Sequence, residues 1–165
     1  MSKRIIWTVI FCVAAGILQS AVFPKIALFK VIPDLSLCIL VFAAYTNGTM
    51  TGQVSGFFSG LFLDFLSAAP LGLNCLVRTL IGALAGVFKG AFFLDIIFMP
   101  VILCSLATII KALILFIINL FMGHTVPAYS FLSSLFWIEF GLNVVSAPFL
   151  FFLLKRFRPL APGRS

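Results

Sequence analysis

Charge is what this sequence has least of: Asp, Glu, Lys and Arg together make up 9% of 165 residues, and only four of them are acidic. So small a polar complement cannot cover the surface of a water-soluble domain, which excludes a soluble catalytic or receptor module. Histidine occurs once, as His124 in the short segment Gly123-His124-Thr125, with no carboxylate nearby in sequence. It is read as an interfacial loop residue rather than a metal ligand or catalytic base. The four cysteines, Cys12, Cys38, Cys75 and Cys104, fall one to a hydrophobic segment without CxxC spacing. They are expected to pack as small apolar residues, not to bind metal or form disulfides. A GxGxxG turn, a P-loop, an HExxH helix and an acidic cluster able to hold Mg²⁺ with a lipid pyrophosphate are all missing. The expectation is a protein that is not an enzyme and takes no cofactor and no metal.

What is abundant is apolar sequence, 63% of the chain, with a mean hydropathy of +1.27. A bilayer-spanning helix needs about 20 predominantly apolar residues, so the chain accommodates roughly six spans and short connections. Runs broken by Pro, Gly, Asn and Lys place them near 5–23, 35–46, 50–66, 73–88, 93–122 and 129–154. The predicted fold is an all-α integral membrane protein, one bundle of six transmembrane helices covering residues 1–165. The basic start Lys3-Arg4 followed by an apolar run resembles a signal peptide, but no cleavage site follows, so an uncleaved first span is expected. Pro33-Asp34 reads as a turn and helix start, with Asp34 able to cap free amides. Asn47-Gly48 and Ala69-Pro70-Leu71-Gly72 are the next turns, Pro100 predicts a kink or interfacial turn opening the fifth span, and Pro148 lies near the end of the sixth. Trp7, Trp137, Tyr45 and Tyr129 suit interfacial or packing positions, and the 21 Phe residues suit contact with lipid and neighbouring helices.

The net charge is +7, yet the basic residues form no single large basic segment, which argues against nucleic acid as a partner. They set orientation instead. With six spans both termini share a side, where Lys3, Arg4, Lys89, Lys155, Arg156, Arg158 and Arg164 outnumber Lys25 and Lys30 opposite. Both ends are therefore expected in the cytoplasm.

Ionisable residues inside a bilayer are costly and normally face a protein interior or a partner. Asp64, Arg78, Lys111 and Glu139 fall in that class. Gly52, Gly56, Gly60 and Asp64 repeat every four residues along the third span, and Arg78, Gly82, Gly86 and Gly90 do so along the fourth. In an antiparallel hairpin turning near Leu71, the two ladders mirror each other. Gly60 then opposes Gly82, Gly56 opposes Gly86, Gly52 opposes Gly90, and Asp64 pairs with Arg78 at the outer mouth. The competing arrangement gives each glycine face a different helix, one of which can belong to another protein. Lys111 and Glu139 each lie about ten residues from the outer end of their spans, roughly 15 Å deep, which predicts an ion pair between the last two helices. Asn143 and Ser146 continue the Glu139 face and Thr108 accompanies Lys111. A proton or substrate relay is the other use of that pair.

Pro33-Asp34-Leu35, then Gly52-x-x-x-Gly56-Phe57-x-x-Gly60-Leu61-x-x-Asp64-x-x-Ser67-x-x-Pro70-Leu71-Gly72, then Gly82-x-x-x-Gly86, resembles the rod shape-determining protein family MreD. The specific part of the likeness runs from Pro33 to Gly90; length, span layout and basic tail agree with it. The resemblance implies a multi-pass protein of the bacterial cytoplasmic membrane, in the elongation machinery that builds lateral peptidoglycan. It implies MreC as direct partner, with MreB, the glycosyltransferase RodA and a class B penicillin-binding transpeptidase in the same assembly, surrounded by membrane lipids. It also implies a fold similar to the S-components of energy-coupling-factor transporters. Asp64, Ser67, Pro70 and Gly72 match the motif and would shape the outer mouth, either to receive MreC or merely to fix the hairpin. The functional alternative is a small-molecule-binding transporter subunit of the S-component type, for which Asp64, Arg78, Lys111 and Glu139 would line a pocket. A membrane enzyme of lipid metabolism lacks any recognisable catalytic set.

Overall fold

The computed structural model describes residues 2–21, 32–67, 70–90, 98–122 and 134–157. They form six helices: α1 Ser2–Ala21, α2 Leu35–Asn47, α3 Thr49–Leu66, α4 Leu73–Val87, α5 Phe98–Met122 and α6 Ser134–Arg156. No strand occurs among the described residues. By length and hydropathy α1, α5 and α6 can each cross a membrane, while α2 and α4 are shorter apolar helices. The predicted ends at 22–23, 93–97 and 129–133, His124, Tyr129, Lys25, Lys30, Arg158 and Arg164 lie outside the described residues.

The architecture follows from α2. A helix that is apolar on every side belongs in a core, and residues 36 to 44 of α2 are buried without exception. Alone among the six, α2 packs against each of the others. Around it run α1, α3, α4, α5 and α6, joined in the order α1 to α3, α3 to α4, α4 to α5 and α5 to α6. Phe42 of α2 meets Phe151 of α6 edge-on with ring centroids 4.9 Å apart, the favoured geometry for an aromatic pair. Between α6 and α1 no comparable packed interface forms, and at the end carrying the termini the rings of Phe11 and Phe157 bridge them at 5.3 Å. The same end holds the basic side chains Lys3, Arg4, Lys89, Lys155 and Arg156. Arg4 donates to Asn47 Oδ1 at 3.2 Å and Lys89 to the Asn47 carbonyl at 3.3 Å.

The closest interface is the α3/α4 hairpin, and its register differs from the one the glycine ladders predict. Gly52 lies on Gly82, Gly56 on the backbone of Arg78, Gly60 on Asn74 and Cys75, and Gly86 on Gly48 and Thr49. Relative to the expectation α4 has slid by eight residues, about two turns. Of the ladder glycines only Gly52 and Gly82 face each other, not three pairs. Gly90 is outside α4, at φ +75° with open space around it. The reason lies at the turn. The prediction let both helices end at the same height, whereas α3 continues to Leu66 and the chain then folds back, so that α4 starts beside the last turns of α3 rather than beyond them. Gly72, at φ +94° as the N-cap of α4, supplies the left-handed step this requires. Pro100 falls in the first turn of α5, where its missing N–H has no helical partner to lose.

Candidate functional site

A helix of 13 residues is about 20 Å long, some 10 Å short of a bilayer core. With one end of α2 at the termini-side face, beside Arg4 and Lys89, its other end must start inside the membrane. That start is Asp34. As N-cap it accepts from Leu37 N at 3.0 Å through Oδ1, satisfying one of the free amides of the first turn. The negative charge also suits the positive end of the helix.

Asp34 is the centre of a charge network that the sequence reading did not assemble. Its Oδ1 receives Arg78 at 3.0 Å and its Oδ2 receives Lys111 at 2.9 Å. Lys111 in turn reaches Glu139 Oε1 at 2.8 Å. Arg78, Asp34, Lys111 and Glu139 thus alternate in sign across α4, the start of α2, α5 and α6, and their formal charges cancel. Uncharged groups complete it. Arg78 donates to Ser36 Oγ at 2.9 Å, and that hydroxyl donates to the Cys12 carbonyl of α1 at 2.8 Å. Gln19 of α1 accepts from Ser36 N at 3.3 Å and donates to the Pro33 carbonyl. Asn143 accepts from Asp34 N at 2.7 Å and donates to Thr108 Oγ1 at 3.1 Å. Among the described residues only Ser55 Oγ is a buried side-chain polar atom left without a partner. Saturation of this kind is what a charged group needs in a medium of low polarity.

The predicted partner of Arg78 was Asp64, and the structure separates them. Asp64 is 2% exposed and sits under the start of α4. Its Oδ2 accepts from Gly72 N at 3.0 Å and Cys75 N at 3.1 Å; its Oδ1 accepts from Asn74 N at 2.9 Å and Asn74 Nδ2 at 3.0 Å. Three amides at the positive end of a helix replace the arginine as its counter-charge. Asn74 also reaches Ser67 Oγ at 3.4 Å, and Pro70 O accepts from Leu73 N at 3.2 Å. Asp64, Ser67, Pro70 and Gly72 therefore form one closed turn, and Arg78, two turns away on α4 because of the register shift, is delivered to Asp34. The Lys111–Glu139 pair, expected from depth alone, is present. The hub was missed because Asp34 looked like a surface cap. The available signal was the length of the apolar segment behind it: 35–46 is too short to span, so one of its caps has to lie at depth.

The four cysteines are buried and unbridged, and the described residues contain no group of His, Cys, Asp and Glu placed to hold a metal. Beside the network lies an open cleft of about 410 Å³. It is lined by Gln19 and Ser20 of α1, Asp34, Lys111 and Glu139, together with the apolar Gly16, Ile32 and Leu63.

No curated protein and no solved structure matches the chain significantly, so the implied likeness to S-components rests on no structural match. The family described as rod shape-determining protein MreD matches residues 1–157, nearly the whole length. The six helices around a buried charge network of zero formal charge are thus the form this sequence gives to a known membrane family: the chain belongs to the MreD family and has its role in rod shape determination.

Proposed function

We propose that this chain is a non-catalytic component of the bacterial cell-elongation complex, which binds MreC and helps to position or regulate lateral peptidoglycan synthesis. Family membership is the observation that carries the reading. On this reading the protein works in the cytoplasmic membrane, in one assembly with MreB, RodA and a class B penicillin-binding transpeptidase. The basic side chains at the termini-side end support an orientation with both termini in the cytoplasm.

The surface offered to MreC is the outer face of α3. Phe58, Phe62 and Phe65 share that face at helical spacing, with Phe65 70% exposed. Close packing on α4 holds it rigid. Asp64 acts on the partner indirectly: its oxygens are engaged by the start of α4, and what it controls is the angle at which the hairpin presents those rings. The test is co-purification of MreC from membranes. The double substitution F62A/F65A is expected to lose MreC while the protein still accumulates, and Asp64→Ala to weaken the interaction less. Normal MreC recovery with the double variant, at normal expression, removes the α3 face from the proposal.

A second reading, a small-molecule-binding transporter subunit of the S-component type, is favoured by the cleft beside Glu139. It requires an ATPase partner, and recovery of MreC without one decides against it.

A further inference from the structure

Of the four carboxylate oxygens in the charge network, three have a donor among the described residues. Glu139 gives Oε1 to Lys111, and among the described residues nothing donates to its Oε2. The side chain is 12% exposed, and it lines the cleft together with Gln19 and Ser20. An ionised carboxylate oxygen in such surroundings attracts a hydrogen-bond donor carrying positive charge. The cleft is large for that purpose: about 410 Å³ is the size of a small-ligand site.

Two further observations define the guest. The cleft stands beside the one seam in the ring of helices, between α6 and α1, whose bridge at Phe11 and Phe157 is at the opposite end of the bundle. A molecule can therefore enter sideways from the bilayer. Fifteen residues of α1 separate Arg4 at the termini-side face from Gln19 at the cleft, about 22 Å of rise, which leaves about 8 Å to the far edge of the hydrocarbon core. That depth is within reach of a phospholipid headgroup of the far leaflet, whose acyl chains stay beside α1 and α6. Because Arg78, Asp34, Lys111 and Glu139 sum to zero charge, a guest bearing net charge would bury an uncompensated one, whereas a zwitterion would not.

We propose that this cleft binds the headgroup of an aminophospholipid of the phosphatidylethanolamine class, entering between α1 and α6 and donating from its primary ammonium to Glu139 Oε2. A primary ammonium has three protons to give. The quaternary ammonium of phosphatidylcholine has none, and phosphatidylglycerol brings a net negative charge towards a carboxylate.

The experiment is native mass spectrometry of the full chain equilibrated with an equimolar mixture of phosphatidylethanolamine, phosphatidylcholine and phosphatidylglycerol. One phosphatidylethanolamine should be retained over either competitor by about tenfold, the scale of one hydrogen bond to a charged group. Glu139→Gln should abolish the preference. Ser20→Trp, which fills the mouth without touching the charge network, should abolish it too, and keeps the test intact if Glu139→Gln fails to fold. Equal retention of the three lipids overturns the proposal, as does a preference that survives Ser20→Trp. Displacement of the lipid by equimolar glycerophosphoethanolamine also overturns it, because a soluble amine would then suffice and the site would not be a lipid site.

Discussion

The α3/α4 hairpin and the α5/α6 pair each join two antiparallel helices in the same molecule, and they are held by opposite means. In the hairpin, backbone meets backbone: Gly52 and Gly82 approach so closely that a Cβ on either would overlap the carbonyl of the other. Between α5 and α6 side chains bridge the space, through Lys111 to Glu139 and Thr108 to Asn143, and Gly141 of α6 has nothing within 4 Å of where its Cβ would be. One interface is therefore sensitive to size and the other to charge. Asp34 connects the two, because its oxygens reach Arg78 on the hairpin and Lys111 on the pair.

Both interfaces are disrupted most severely at that joint. Asp34→Leu leaves Arg78 and the Lys111–Glu139 pair without their shared carboxylate, and removing one partner of a buried ion pair costs about 3–5 kcal/mol. The expected outcome is loss of the monodisperse protein in size-exclusion chromatography of membrane extracts. The charge swap K111E/E139K should rescue K111E only in part, since the carboxylate introduced at 111 would face Asp34 as well. Next comes Gly82→Val, which tests size alone. Overpacking costs about 1–3 kcal/mol, and the upper end is expected because the obstacle is backbone; the unfolding temperature of the purified protein reports it. Asp64→Ala follows, with about 1–3 kcal/mol for leaving the amides at the start of α4 without their acceptor. An added effect of Arg78→Met equal in the Asp64→Ala and wild-type backgrounds would show that the two residues act separately, and strong coupling would restore the pairing that the ladders predict. Gly141→Ala is the smallest change. With open space around it, it should shift stability by less than about 1 kcal/mol and in the stabilising direction, by helix propensity. A large loss there would show that the α5/α6 pair is sensitive to size after all.

The six-helix plan was legible because hydropathy and the turn residues at Asn47-Gly48 and Pro70 to Gly72 report local events. The hairpin was legible for the same reason, through glycines at four-residue spacing. Its register was not. That depends on how far the turn folds back, which is decided by the Asp64 carboxylate reaching Gly72, Asn74 and Cys75, and a repeat that mirrors itself about Leu71 offers no information on the point. Lys111 and Glu139 could be matched by depth, since both lie on long helices whose ends are marked in sequence. Asp34 could not, because depth counted from a turn assumes that the turn is at the surface. Ser36, Gln19 and Asn143 went unassigned to the network for a related reason: their partners are 14 to 109 residues away in the chain, and no local pattern connects them.

The central position of α2 has a consequence for biosynthesis. The chain is made from its N-terminus, so α2 leaves the ribosome before the helices that bear Arg78, Lys111 and Asn143. Until those arrive, the carboxylate of Asp34 has no counter-charge at the depth where it ends up, and the shortest apolar helix has nothing to hold its polar end in the lipid. The innermost helix is thus among the first to be synthesised and the last to be secured. A chain truncated before α4 would lack three of the four charges, and membrane quality control would meet in it an unpaired acid where the finished protein has a neutral core.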